Sequence, residues 1–449
     1  MKFRKLWLGC TVLITSFLIT QQLTAQDGRK LTLQEAVDLS LKNSKQLKNS
    51  HAKTDESTAA VKEAMERRLP DVNVTGSYLH LNSPHINLKT GSDSASGNGG
   101  KQQKVKVSQA AYGIVNLSLP IYSGFRIQYG IESAKYLEKA TQLDAENDRE
   151  GVIQNTIDAF SNLYKAKAAA DLVKESLNQA QQRAKEFGNL EKNGLLARND
   201  LLKAQLQASN TELSLLDAEN NWKLSTVNMN LMLGLPEETI LVPDSSSLKK
   251  SSDIKSIAEW EQLAVQNRKD ASALSFREKA AITNVKAIKG ELYPSLALTG
   301  GYIAAYVPNL ITVTNAVNVG LGVQYNIGSL WKTKSKIQQA QARVQQVQAN
   351  EDMLNDAIRI QINQAYQNVV LSRKKIDVYQ KAIEQATENY KITKNKYDNT
   401  LVTTTELLEA EVAELQAKLN YAFANADEMV AYNKLLQSAG VLNNQLENK

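Results

Sequence analysis

Catalysis needs nucleophiles, proton carriers or metal ligands gathered at short range, and this 449-residue chain offers few of them. Its three histidines, His51, His80 and His85, stand in no carboxylate cluster and at no metal-ligand spacing. The single cysteine, Cys10, lies in an apolar N-terminal run, so thiol chemistry and cysteine-ligated metals are excluded from the rest of the chain. There is no phosphate-binding glycine loop and no nucleophile elbow. These residues predict no enzyme, no cofactor and no metal. The side chains that stand out are acids at a helix start. Glu406 and Glu409 are three apart and share one helix face. Thr403-x-x-Glu406 also reads as a capping box, in which acid and hydroxyl satisfy the helix's first N–H groups.

The elements that position these acids occur twice. Thr32/Ser256, Glu35/Glu259, Asn43/Asn267, Pro70/Pro294, Gly76/Gly300 and Tyr78/Tyr302 match at a fixed offset of 224 positions. Further along the offset becomes 206 and joins Lys185/Lys391, Asn193/Asn399, Leu201/Leu407, Ala204/Ala410 and Gly234/Gly440. The difference falls where the first copy carries the Ser/Gly-rich stretch Gly91 to Lys101. A unit this long is a duplicated module, not a solenoid repeat.

Composition bounds the class. The chain is 42% hydrophobic and only 6% aromatic, with seven prolines, and its net charge of +6 is spread among interleaved acids. That favours long solvated helices and gives no nucleic-acid stripe. Lys2, Arg4 and Lys5 precede an apolar run from Leu6 to Ile19, then Leu23-Thr24-Ala25, which predicts a signal peptide at 1–25. Cleavage at Gly9-Cys10, as in a lipoprotein, would leave most of the apolar run on the mature chain. No later stretch is long and apolar enough for a spanning helix, so any membrane entry falls to strands.

Strand signals follow each proline. Val72, Val74, Gly76 and Tyr78 alternate with Asn73, Thr75 and Ser77. Val317, Val319, Leu321, Val323, Tyr325 and Ile327 alternate with Asn318, Gly320, Gly322, Gln324 and Asn326. The period of two predicts four strands at about 71–81, 111–121, 295–305 and 317–327. The polar face is small and uncharged, which suits a wet lumen. Aromatics gather at the strand ends: Tyr78, Tyr112, Tyr302 and Tyr306 at one, and Tyr122, Phe125, Tyr325 and Trp331 at the other. Proline-free helical stretches predict rods at about 126–192 and 332–396, each roughly 100 Å long. Shorter helices are expected at about 33–69 and 257–293, each opened by a capping box, and at about 200–233 and 406–438. Four strands cannot close a barrel, so the chain is expected to oligomerise.

Leader, duplicated helix–hairpin–long helix–helix modules, proline junctions and turns centred on Gly194 and Thr400 together resemble the TolC family of outer-membrane efflux and export channels. The resemblance covers residues 26–449, with repeats at about 31–240 and 255–440. It implies an α+β membrane protein: a homotrimer with a 12-stranded outer-membrane β-barrel, four strands per chain, continued by a long periplasmic α-helical coiled-coil barrel. Stretches 235–255 and beyond Gly440 would form its equatorial belt. It implies the exit duct of a tripartite efflux pump or type I secretion system, seated in outer-membrane lipid. The implied partners are a periplasmic adaptor (membrane fusion) protein and an inner-membrane pump of RND, ABC or MFS type. The alternative is a periplasmic coiled-coil adaptor or scaffold without a pore.

The same resemblance implies roles for residues. Asn193-Gly194-Leu195 and Asn399-Thr400-Leu401 would be adaptor-docking tips. Threonine takes a left-handed turn at a cost glycine avoids, which puts the second turn's geometry in question. Glu406 and Glu409 would form an acidic ring at the pore entrance, although helix capping explains the same acids. Asp200 and Tyr397 match positions that hold the tip closed. The family's basic partner falls on Val402, so closure would differ or use Arg198.

Overall fold

The computed structural model describes residues 28–82, 84, 107–248 and 254–443. The predicted leader and the Gly91 to Lys101 loop lie outside the described residues. In chain order the elements are β1 (Arg29–Leu31), α1 (Leu33–Asn43), α2 (Lys45–Glu66), β2 (Asp71–His80), β3 (Gln109–Tyr122), α3 (Arg126–Lys192) and α4 (Arg198–Leu233). The second half follows with β4 (Leu241–Pro243), α5 (Ile257–Asn267), α6 (Lys269–Lys289), β5 (Ser295–Val307), β6 (Ile311–Gln324), α7 (Ser329–Asp398) and α8 (Thr404–Ser438). Two compact units result. One comprises Ser50–Ala145 and Asp270–Asn355, and the other the described parts of Met1–Asn49, Glu146–Lys269 and Asp356–Lys449.

The first of these units holds a four-stranded antiparallel sheet in the order β2-β3-β5-β6. Its register lines up one polar row, Asn73–Asn116–Gly301–Asn318. The next row belongs to the opposite face and is apolar, Val74–Val115–Tyr302–Val317. On β6 the apolar side chains stand almost bare, with Val319 78% exposed. Both outer strands, β2 and β6, have an unpaired edge. The strand β6 begins at Ile311, before the expected Val317, and ends at Gln324, so Tyr325 and Ile327 lie in the turn before α7. Tyr78 donates to Gln109 Oε1 (2.6 Å), and Tyr302 accepts from the Asn315 N–H (3.3 Å). At the other strand ends Tyr122 meets Phe125 edge-on at 5.4 Å, and Trp331 is exposed.

A backbone crossing fixes the start of α3. Gly124 and Gly290 touch: a methyl on Gly290 would sit 2.4 Å from the Gly124 carbonyl oxygen. Gly124 (φ 63°) and Phe125 (φ 60°) are both left-handed there.

The second unit is helical, with a thin core of Val37, Ile153, Ile157, Phe160, Leu163, Met229, Ile362 and Leu435. The strands β1 and β4 add a two-stranded parallel ladder that the sequence reading missed, because three residues carry no period. The helix expected over 33–69 is broken at Ser44 (ψ 120°), and that over 257–293 at Arg268 (ψ 121°). No proline causes this. The breaks let side chains serve the ends of neighbouring helices, whose last carbonyls lack partners. Asn43 donates to Leu233 O (2.7 Å), and Arg268 donates to Ser438 O (3.2 Å). Gly234 and Gly440 lie against Asn43 and the Asn267–Arg268 backbone respectively, so both copies build the same junction. Of the two N-terminal capping boxes, that of Ser256 and Glu259 is complete. At the first, Thr32 accepts from the Glu35 N–H (3.2 Å), but Arg29 takes the Glu35 carboxylate.

Gly290→Ala is expected to cost roughly 2–3 kcal/mol, because the obstruction is backbone and cannot rotate away. Gly113→Ala, with open space around it, should change stability by less than about 0.5 kcal/mol. Unfolding of the two variants followed by circular dichroism checks the contrast.

Candidate functional site

The tip and entrance residues expected from the sequence lie where α3 turns into α4 and α7 into α8, all within the helical unit. The two turns are alike. The Gly194 N–H donates to Glu191 O (2.9 Å) and the Leu195 N–H to Leu190 O (2.9 Å). The Thr400 N–H donates to Tyr397 O (2.9 Å) and the Leu401 N–H to Lys396 O (2.9 Å). Gly194 has φ 70° and Thr400 φ 58°. Threonine therefore accepts the left-handed geometry, a cost of about 1–2 kcal/mol that the paired hydrogen bonds hold in place. Asn193 and Asn399 each donate a side-chain hydrogen bond back to the preceding helical turn, at 2.9 and 2.8 Å. Beyond them Leu195 and Leu401 are 73% and 72% exposed.

Behind the turns lies a small core of Phe187, Leu201, Ala204 and Leu407, with Leu196, Tyr390 and Tyr397 packed against it. Tyr397 stacks on Phe187 (5.6 Å) and its hydroxyl meets Thr404 Oγ1 (3.3 Å). The acids expected to share a role are treated differently. Glu406 closes its capping box: its carboxylate accepts from the Thr403 N–H (2.7 Å) and hydroxyl (3.0 Å). Those bonds hold its carboxyl below the usual range, with a small further push from Lys396. Glu409 instead lines a groove between α4 and α8, with Lys203, Leu206, Gln207, Thr405 and Val412.

Asp200 pairs with Lys203 (3.3 Å), and Arg198 pairs with Glu191 (3.3 Å) on its own helical hairpin. Close to the turns Lys203 also bridges the hairpins, donating to Thr405 Oγ1 (3.3 Å). The sequence reading missed Lys203, although the 206 offset pairs it with Glu409 and so sets opposite charges at equivalent positions.

A second missed contact lies deeper. Arg183 on α3 stands 3.1 Å from Glu411 on α8 and donates to the Tyr390 hydroxyl on α7 (2.8 Å). Both charges are buried, at 8% and 4% side-chain exposure. The pair is close but poorly aimed, and neither Glu411 oxygen receives a well-formed hydrogen bond. Burial therefore raises the Glu411 carboxyl above the usual range against the opposing pull of Arg183, with Glu414 adding to the rise and Lys394 opposing it. The equivalent positions in the other copy are Asn389 and Gln205, both uncharged, so the pair exists once per duplication.

Among the described residues no group of three or more His, Cys, Asp or Glu is placed to hold a metal, and no helix is long and apolar enough to cross a membrane.

Comparison with known proteins agrees with this layout. The family described as outer membrane efflux protein matches residues 36–235 and 260–441. The outer membrane efflux protein BepC of Brucella suis is 23% identical over 429 residues, covering 90% of this chain and 87% of that protein. Two solved structures share the fold. The CmeC outer membrane channel of Campylobacter jejuni has a TM-score of 0.75 at 18% identity, covering 91% of this chain and 86% of its own. The open state of the MtrE outer membrane channel of Neisseria gonorrhoeae has a TM-score of 0.70 at 16% identity, covering 91% and 89%.

Thr400→Gly is expected to stabilise the protein by about 1 kcal/mol, read by thermal unfolding, because it removes a side chain from a left-handed position. Glu411 supplies a pH signature. A carboxyl raised by folding binds its proton more tightly in the folded chain. Its contribution is complete below the usual carboxylate range and is lost as pH rises through the raised value. Stability measured from pH 4 to pH 8 should fall over that window, and Glu411→Gln should flatten the fall.

Proposed function

The chain belongs to the outer membrane efflux protein family, and from that membership we propose that it is the outer-membrane exit duct of a tripartite efflux pump or type I secretion system. Cargo passes through it from periplasm to exterior without chemical change. The observation that carries this reading is the sheet: four strands of 10–14 residues, a bare apolar face and two unpaired edges. Strands of that length span the hydrocarbon when tilted. In lipid an open edge is untenable, and three copies give the twelve strands that close a barrel with a passage.

The helices carry the same implication. Leu206, Leu213, Leu224 and Leu231 form one exposed apolar stripe on α4, and Ile360, Leu371, Val378 and Ile392 form another on α7. Such stripes are seams awaiting partners, and neighbouring copies in a trimer supply them. Asn73, Thr75, Asn116, Thr299 and Asn318 then form a lumen wall of small polar groups suited to varied cargo, with Asp71 bonded to Asn73 (3.1 Å) at its end.

At the helix turns the exposed Leu195 and Leu401, held by matched turns, suit capture by a periplasmic adaptor that couples the duct to an inner-membrane pump. Lys203, Asp200 and Thr405 form the polar contact between hairpins that opening must release. Glu409 lines the approach with a free carboxylate. Glu406 combines both earlier readings, since its capped carboxylate stays ionised at the helix start.

The protein is expected to run as an SDS-resistant, heat-labile trimer from outer-membrane fractions; a monomer in the periplasmic fraction would contradict the proposal. Glu406→Gln with Glu409→Gln is expected to reduce cation preference, read as a smaller reversal potential in a salt gradient. An unchanged potential would remove these acids from the entrance.

A further inference from the structure

The apolar face of the sheet ends in a charged groove. Along β3 that face carries Val115, Leu117, Leu119 and Ile121. A register shift between Pro120 and Tyr122 then sets Tyr122 opposite Leu296, so the apolar surface runs on through the strand end. Below it lies a cavity of about 300 Å³ lined by Ile121, Tyr122, Phe125, Ile127, Gln128 and Arg68, with Pro120 and Ser123. Arg68 is its one charged side chain. It is exposed, and no ion pair is formed to it among the described residues. The nearby Arg126 donates through its Nε to Ser123 O (3.1 Å).

The wall of this groove is held under strain. Phe125 is a bulky residue at φ 60°, a conformation such side chains rarely adopt. The neighbouring Gly124 is packed directly against the Gly290 backbone. What the strain achieves is display: the Phe125 ring meets Tyr122 edge-on and remains half exposed beside Ile121.

A greasy wall continuous with a lipid-facing sheet, ending in one unpaired guanidinium, fits an amphiphile with an anionic head. We propose that this groove binds an anionic glycerophospholipid, with Arg68 holding the phosphate and Ile121, Tyr122 and Phe125 packing the glycerol and first acyl carbons. Guanidinium suits phosphate because its fork of N–H donors matches the oxygens. The inference rests on the reading that the apolar face lies in lipid.

The test uses the full chain reconstituted into vesicles and re-extracted in detergent, with native mass spectrometry to count retained phosphatidylglycerol. Phosphatidylethanolamine and inorganic phosphate are run as separate arms. The wild type is expected to retain phosphatidylglycerol over phosphatidylethanolamine without competition from millimolar phosphate. Arg68→Gln is expected to reduce retention roughly tenfold. Phe125→Gly is expected to weaken retention while raising thermal stability in lipid-free zwitterionic detergent, since it relieves the backbone and removes the ring. Equal retention by Arg68→Gln, equal retention of the two lipids, or displacement by phosphate would overturn the site while leaving the channel reading intact. Failure of the wild type to enter vesicles would overturn both.

Discussion

A backbone group in hydrocarbon has no water to turn to, and this constraint governs the whole molecule. The sheet presents its apolar side chains outward and leaves the N–H and C=O groups of β2 and β6 unpaired at its edges. A soluble protein with such edges would aggregate. An open sheet in lipid would leave several polar groups unsatisfied. Only further copies of the same edges resolve both problems. The exposed stripes of α4 and α7 become intelligible on the same ground, as seams completed by neighbours.

Duplication explains how one chain meets this demand twice. Each copy supplies a hairpin, a long helix and a shorter return helix, and the two copies share details no composition would require. The helices break at the equivalent Ser44 and Arg268, where Asn43 and Arg268 cap the neighbouring ends at Leu233 and Ser438, and Gly194 and Thr400 reach the same left-handed turn. Where the copies differ, function has room to act. Lys203 faces the groove that also holds its counterpart Glu409. Arg183 and Glu411 are charged where Asn389 and Gln205 are not. A poorly aimed buried ion pair stabilises little compared with an apolar replacement, but losing one partner is costly. It therefore suits a specific helix alignment better than general strength.

Strand and long-helix positions were legible because period and proline placement are strong local signals. The rod α3 runs over the expected residues, and Val317 to Val323 alternate as expected. The breaks at Ser44 and Arg268 were not legible, since their cause is a distant helix end. The Thr400 turn was open to question because propensity prices the residue alone, while the hydrogen bonds from Thr400 and Leu401 decide the outcome. At the helix turns, spacing paired Glu406 with Glu409 and the family resemblance added Asp200 and Tyr397, but neither supplied their partners. Tyr397 turned to Phe187 and Thr404, Arg198 to Glu191, and Glu406 to its own cap. Side-chain partners depend on packing angles that sequence spacing does not contain.

Barrel closure requires the edge of β2 in one copy to pair with the edge of β6 in another. Within one chain these strands are separated by β3 and β5, about 14 Å at ordinary strand spacing, beyond disulfide reach. The chain's single cysteine, Cys10, is replaced by serine so that it does not interfere. A cysteine at Val74 combined in turn with cysteines at Val317, Val319, Leu321 and Val323 therefore reports contact between copies. Oxidation should give a covalent trimer on a denaturing, non-reducing gel for at least one combination. Monomers throughout, or a covalent dimer as the limiting species, would rule out closure by three copies.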